Sequence, residues 1–96
     1  MPLQVVATIT AKPGSEDIVR DALTELVSGT RTEEGCVVYE LFQSTADPAV
    51  FVTVETWRAQ EDLDAHLQTP HLKQVFAVAG EHLAGPPVIH PLQPVA

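Results

Sequence analysis

Apolar residues recur along the chain in two periods. Leu3 to Ala11 (LQVVATITA) is rich in β-branched residues and predicts a strand, closed by a turn at Lys12-Pro13-Gly14. Ser15 is placed to cap a helix that opens on Glu16 and Asp17, two acids at the positive end of the helix dipole. Ile18, Val19, Ala22, Leu23, Leu26 and Val27 then follow on one helical stripe, which ends near Ser28 to Thr32. Past a turn at Glu33-Glu34-Gly35, Cys36 to Ser44 predicts a second strand and Val50 to Trp57 a third, joined by a loop of hairpin length. Alternation puts Phe51, Thr53, Glu55 and Trp57 on one face of the third strand and Val50, Val52, Val54 and Thr56 on the other.

Leu63, His66 and Leu67 have helical spacing within Gln60 to Gln68. Thr69-Pro70 starts a new helix, a capping hydroxyl followed by proline at the first helical position. Leu72, Val75, Phe76, Ala79 and Leu83 form its apolar face, and Gly85-Pro86 stops it. Val88 to Val95 predicts a last strand, which Pro91 and Pro94 confine to a sheet edge. The order β–α–β–β–α–α–β in 96 residues indicates one α+β domain, an antiparallel four-stranded sheet with helices on one face. Short, right-handed connections favour the split β–α–β arrangement of ferredoxin-like folds. Valines on both faces of the strands require a cover for the second face. A second copy packed sheet to sheet supplies one, so a homodimer is expected.

Composition narrows the function. The formal net charge is −8, and Lys12, Arg20, Arg31, Arg58 and Lys73 stand singly rather than in a basic run. Nucleic acid and anionic membranes, which are bound by clustered cations, are therefore excluded as partners. No apolar run approaches the ~20 residues needed to span a bilayer. Cys36 is alone, so no intrachain disulfide forms. The first ten residues lack a signal-peptide pattern, and the expected location is the cytoplasm.

The chemistry-bearing residues form a loose set without a phosphate loop, GxSxG or zinc motif. Glu55 lies mid-strand on an apolar face, which demands a partner, such as Arg58 or a backbone donor, or a functional role. Trp57, the single tryptophan, suits a core anchor or a pocket wall. Tyr39 and Glu40 alternate, so only one of them faces the helices. His66 sits beside Leu63 and Leu67 and reads equally as a half-buried structural histidine or a pocket group. His71 lies in the first turn of a helix, whose dipole disfavours an imidazolium. His66 and His71 are five apart across the Thr69-Pro70 break, not at the i, i+4 spacing of a helical metal pair, so no metal site is assigned.

The stretches Ala11-Lys12-Pro13-Gly14, Glu33-Glu34-Gly35-Cys36, Tyr39-Glu40-Leu41, Glu55-x-Trp57 and Leu63 to Leu72 (LDAHLQTPHL) occur in an order that resembles the antibiotic biosynthesis monooxygenase family, most of all its stand-alone quinol monooxygenases. The likeness spans roughly residues 3 to 92. It implies a ferredoxin-like dimer joined through the sheets, with a pocket between sheet and helices. It also implies oxygenation of a small electron-rich aromatic by O2, without metal, flavin or haem. His66, His71 or Glu55 would be the base. Tyr39 would orient the ring oxygen, and Trp57, Phe51 and Phe76 would line the site. The haem-degrading branch is a poor match, because its first-strand asparagine falls at Ala7 and its haem-ligating histidine at Phe76. An isomerase branch acting on phosphorylated substrates is disfavoured by the scarcity of cations. A dimeric module that binds a small molecule without turning it over is the alternative to an enzyme.

Overall fold

The computed structural model describes residues 2–96. Four strands, β1 (Leu3–Thr10), β2 (Cys36–Gln43), β3 (Val50–Trp57) and β4 (Val88–Leu92), form one sheet. Helix α1 (Glu16–Thr30) follows β1, and α2 (Gln60–His66) and α3 (Pro70–Ala79) separate β3 from β4. The strand order is β2-β3-β1-β4, and all three pairings are antiparallel. This is the ferredoxin-like arrangement, in which the β1–α1–β2 and β3–α2–α3–β4 segments each cross over the same face.

Local chemistry explains the boundaries. Gly14 has φ +87°, in the left-handed region that a side chain disfavours, and turns the chain between β1 and α1. The Thr69 hydroxyl accepts from the backbone N–H of Leu72, with Pro70 in the first turn of α3. Ser15 departs from expectation. It occupies the N-cap of α1 but makes no side-chain cap bond, because its hydroxyl lies 3.2 Å from Nδ1 of His82. Gly35 is required by packing: a Cβ there would collide with the Asp62 side chain. The last strand is shorter than expected, ending at Leu92. It pairs only with β1, which agrees with the edge position that proline demands.

The inner face of the sheet and the helices enclose the core. One cluster joins Ile9 and Phe51 on the sheet to Val19, Leu23 and Leu26 of α1 and Val75 of α3. A second joins Val5, Tyr39 and Trp57 to Val27 and Leu63. Ile18 lies on the flank of the α1 stripe and is exposed. The register puts Val6 opposite Val54, and Val52 opposite Phe42 and Thr8, on the outer face. No helix or loop of the described chain covers this face, and Val54 (39%) and Phe42 (49%) are exposed there. No described helix is long and apolar enough to cross a membrane.

Candidate active site

Between the inner sheet face and the helices lies a cavity of about 480 Å³. Its walls are Ala7 and Ile9 of β1, Leu23 and Leu26 of α1, Leu63 of α2, and Leu72 and Phe76 of α3, with Gly85, Pro86, Pro87 and Ile89 bordering it from the segment that leads into β4. The polar side chains among its lining residues are those of Tyr39, Thr53, Glu55 and His66, and no lysine or arginine lines it. Such a cavity suits a largely apolar molecule oriented by a few polar groups.

Glu55 is 4% exposed, and the alternation of β3 explains how it is kept there. Residues two apart on a strand share a face. Thr53 Oγ1 donates to Glu55 Oε2 at 2.6 Å, and Trp57 Nε1 donates to Oε1 at 2.8 Å. The partner expected at Arg58 is not used. Arg58 lies beyond the strand on the solvent side and pairs with Asp62 at 2.8 Å and Glu34 at 3.7 Å.

His66, at the last turn of α2, is 3% exposed. Its ring packs against Trp57 at a centroid distance of 4.7 Å and against Tyr39 at 5.6 Å. His66 Nδ1 lies 2.8 Å from Glu33 Oε2, and His71 Nε2 reaches the same oxygen at 2.7 Å. A carboxylate only accepts, so both imidazoles donate to it. With its proton on Nδ1, neutral His66 carries a lone pair on Nε2, an atom without a hydrogen-bond partner among the described residues. This is the orienting logic of an acid–histidine dyad: the carboxylate selects the tautomer and stabilises the imidazolium formed by proton uptake.

Tyr39 reaches the cavity from β2. Burial, then the negative charges of Glu55 and Glu33, push its phenol well above the usual 10.0, so it stays neutral and able to donate. The Thr30 hydroxyl oxygen is buried without a hydrogen-bond partner. The Arg31 guanidinium donates to the Tyr39 carbonyl at 2.9 and 3.1 Å and anchors that strand to the end of α1. The Cys36 thiol is likewise raised, by burial first and then by Glu33 and Glu55, which disfavours a reactive thiolate.

Of the residues singled out by sequence, His66, Glu55, Tyr39 and Phe76 line the cavity. Trp57 is fully buried behind Glu55 and His66 and does not line it. Phe51 belongs to the core cluster under α1, outside the lining. His71 stands on the far side of Glu33, also outside the lining. Glu33 and Thr53 are site residues that no catalytic motif in the sequence marks. Thr53 is findable by its i−2 relation to Glu55. Glu33 looks like any turn carboxylate until folding brings it within reach of residues 33 and 38 positions later. Glu33, His66 and His71 also offer one ligand atom each, all within 4.8 Å of one another, a donor set able to hold a metal ion.

Comparison with known proteins places these features in a family. Residues 2–78 match the model of the antibiotic biosynthesis monooxygenase family. The Escherichia coli (strain K12) protein named "Probable quinol monooxygenase YgiN" is 38% identical over 93 residues, covering 84% of this chain and 88% of that protein. Rv0793 from Mycobacterium tuberculosis is 33% identical over 94 residues, covering 98% and 92%. Its solved structure covers 100% of this chain and 97% of its own, with a TM-score of 0.89. A crystal structure described as an antibiotic biosynthesis monooxygenase is 33% identical, covers 98% and 99%, and has a TM-score of 0.90. By sequence and by fold, the chain belongs to the antibiotic biosynthesis monooxygenase family.

Proposed function

We propose that this protein is a monooxygenase that uses O2 to oxidise a hydroxylated, electron-rich aromatic such as a quinol, without flavin or metal in the reaction, as a cytoplasmic homodimer. The carrying observation is His66: buried, held through Nδ1 by Glu33, with a free Nε2 and a place in the wall of an apolar cavity. His66 takes the phenolic proton of the substrate, and Glu33 stabilises the resulting imidazolium. The phenolate passes one electron to triplet O2, which a closed-shell molecule does not otherwise attack readily. Recombination forms the carbon–oxygen bond. One oxygen atom enters the ring and the other leaves as water, so that a quinol and O2 give a hydroxyquinone and water. The substrate supplies every electron, and no external reductant is required.

Tyr39 donates to the substrate oxygen, and Glu55, fixed by Thr53 and Trp57, accepts from a second hydroxyl. The absence of lysine and arginine from the lining favours a neutral substrate over a phosphorylated one. The YgiN relative's name supports the quinol class. The exposed apolar outer face supports the dimer.

The test is oxygen uptake by metal-stripped protein with a panel of reduced quinols and anthrones, corrected for their autoxidation. Saturable uptake that falls about 100-fold or more in His66→Ala is expected. No uptake across the panel, from folded dimeric protein, overturns the reading in favour of a binding module.

A further inference from the structure

We propose that Glu33, His66 and His71 bind one divalent transition ion of the zinc class, and that occupancy of this site turns Nε2 of His66 from proton acceptor to proton donor. The donor set is two imidazoles and one carboxylate, with ligand atoms within 4.8 Å of one another. Nδ1 of His66 and Nε2 of His71 both point at Glu33 Oε2, from 2.8 and 2.7 Å. Zinc holds such ligands at about 2.0–2.2 Å in a tetrahedron. An ion at their meeting point requires Glu33 to withdraw by about an ångström, and Glu33 sits on the turn after α1 rather than inside an element.

Three features arrange the site. The Thr69-Pro70 corner sets the last turn of α2 against the first turn of α3 and brings the two imidazoles to a ring separation of 6.4 Å. Gly29 leaves room for His71: a Cβ there would lie 3.0 Å from Cγ of the imidazole. Trp57 and Tyr39 hold the ring of His66 from the other side.

Neither Glu33 nor His71 lines the cavity, so the ion lies behind His66 rather than against a cavity ligand. Its effect is transmitted through the imidazole. With Nδ1 protonated toward Glu33, Nε2 presents a lone pair. With Nδ1 ligating an ion, the proton of the neutral ring resides on Nε2, which then only donates. The consequence for turnover rests on the monooxygenase reading, in which Nε2 is the base: the ion-bound protein is inactive. The binding site itself does not rest on that reading.

The experiment titrates Zn²⁺ into metal-stripped full-length protein by calorimetry and by competition with a chromophoric chelator. Nitrogen-15 spectra of the histidine rings follow the same titration. One ion per chain is expected. Affinity should fall at least 10-fold in His71→Ala and, independently, in Glu33→Gln, and stay unchanged in His90→Ala, on an exposed position of β4. The His66 proton should move from Nδ1 to Nε2 on zinc addition. Absence of saturable binding, or binding indifferent to both His71→Ala and Glu33→Gln, overturns the proposal, as does an unchanged His66 tautomer at saturation. Saturable binding with the tautomer change but no oxygen uptake by the metal-free protein upholds the site and removes the monooxygenase reading. Uptake by the metal-free protein with no zinc binding does the reverse.

Discussion

Trp57 donates its indole N–H to Glu55 Oε1 across 2.8 Å, two residues along the same face of β3. The bond keeps a buried carboxylate satisfied and seats the tryptophan against His66. Trp57→Phe retains an aromatic ring but leaves Oε1 without its donor and a gap behind it. A loss of about 2–4 kcal/mol of stability is expected from the unpaired acceptor and the lost volume together. Urea unfolding followed by far-ultraviolet circular dichroism measures it, since the variant has no tryptophan fluorescence. An unchanged midpoint would show that the Glu55 pair contributes nothing to the fold.

Glu33→Gln preserves shape and removes the charge behind His66. The amide oxygen can still accept from both imidazoles, but without the charge it stabilises an imidazolium less well. On the proposed mechanism, kcat falls about 10–100-fold with little change in KM. Steady-state oxygen uptake with the best quinol of the panel reads both constants. A change confined to KM would make Glu33 a substrate-positioning residue instead.

Tyr39 is the single tyrosine, so tyrosinate absorbance reports it alone. Its folded-state pKa is raised, by burial first and then by Glu55 and Glu33. The unfolded chain therefore releases the phenolic proton above about pH 10 while the native protein retains it. Stability from this group is fully present below that pH and is lost as pH rises, by up to about 1.4 kcal/mol per unit. Tyrosinate should appear only together with alkaline unfolding, and Tyr39→Phe should flatten the alkaline limb of the stability curve. Ionisation near pH 10 in fully folded protein would contradict the burial argument.

Val54 faces outward from β3, in register with Val6 and Glu40. In the proposed dimer it is covered by the second copy. Val54→Glu places a charge there, and sedimentation equilibrium at micromolar concentration should show a monomer where the parent is a dimer. A parent protein that already sediments as a monomer would remove the sheet-to-sheet dimer.

The element order, the division of β3 into two faces and the edge position of β4 were legible because each depends on local periodicity, turn chemistry and proline. The Glu55–Thr53–Trp57 constellation was half legible for the same reason: a period of two puts all three on one face, but the partner expected for Glu55 was Arg58 or a backbone donor, and Arg58 pairs with Asp62 on the solvent side instead. Glu33 was not legible, since its chemistry depends on a meeting across 33 and 38 residues that no local signal encodes. His66 and His71 looked mismatched because a helix-pair rule was applied across a break, and the Thr69-Pro70 corner brings them to one oxygen by another route.

By itself, then, the chain's pattern determined an α+β sheet-and-helix domain, which residues of the third strand share a face, and the resemblance that the comparisons bore out at family level. Only the tertiary structure decided which side chains share the cavity, that Phe51 and Trp57 stand behind its walls, and that one carboxylate joins two histidines. The reason is physical. Periodicity is set by backbone geometry within a few residues, whereas a site is set by the packing of elements far apart in sequence, where displacements of an ångström decide whether a hydrogen bond exists.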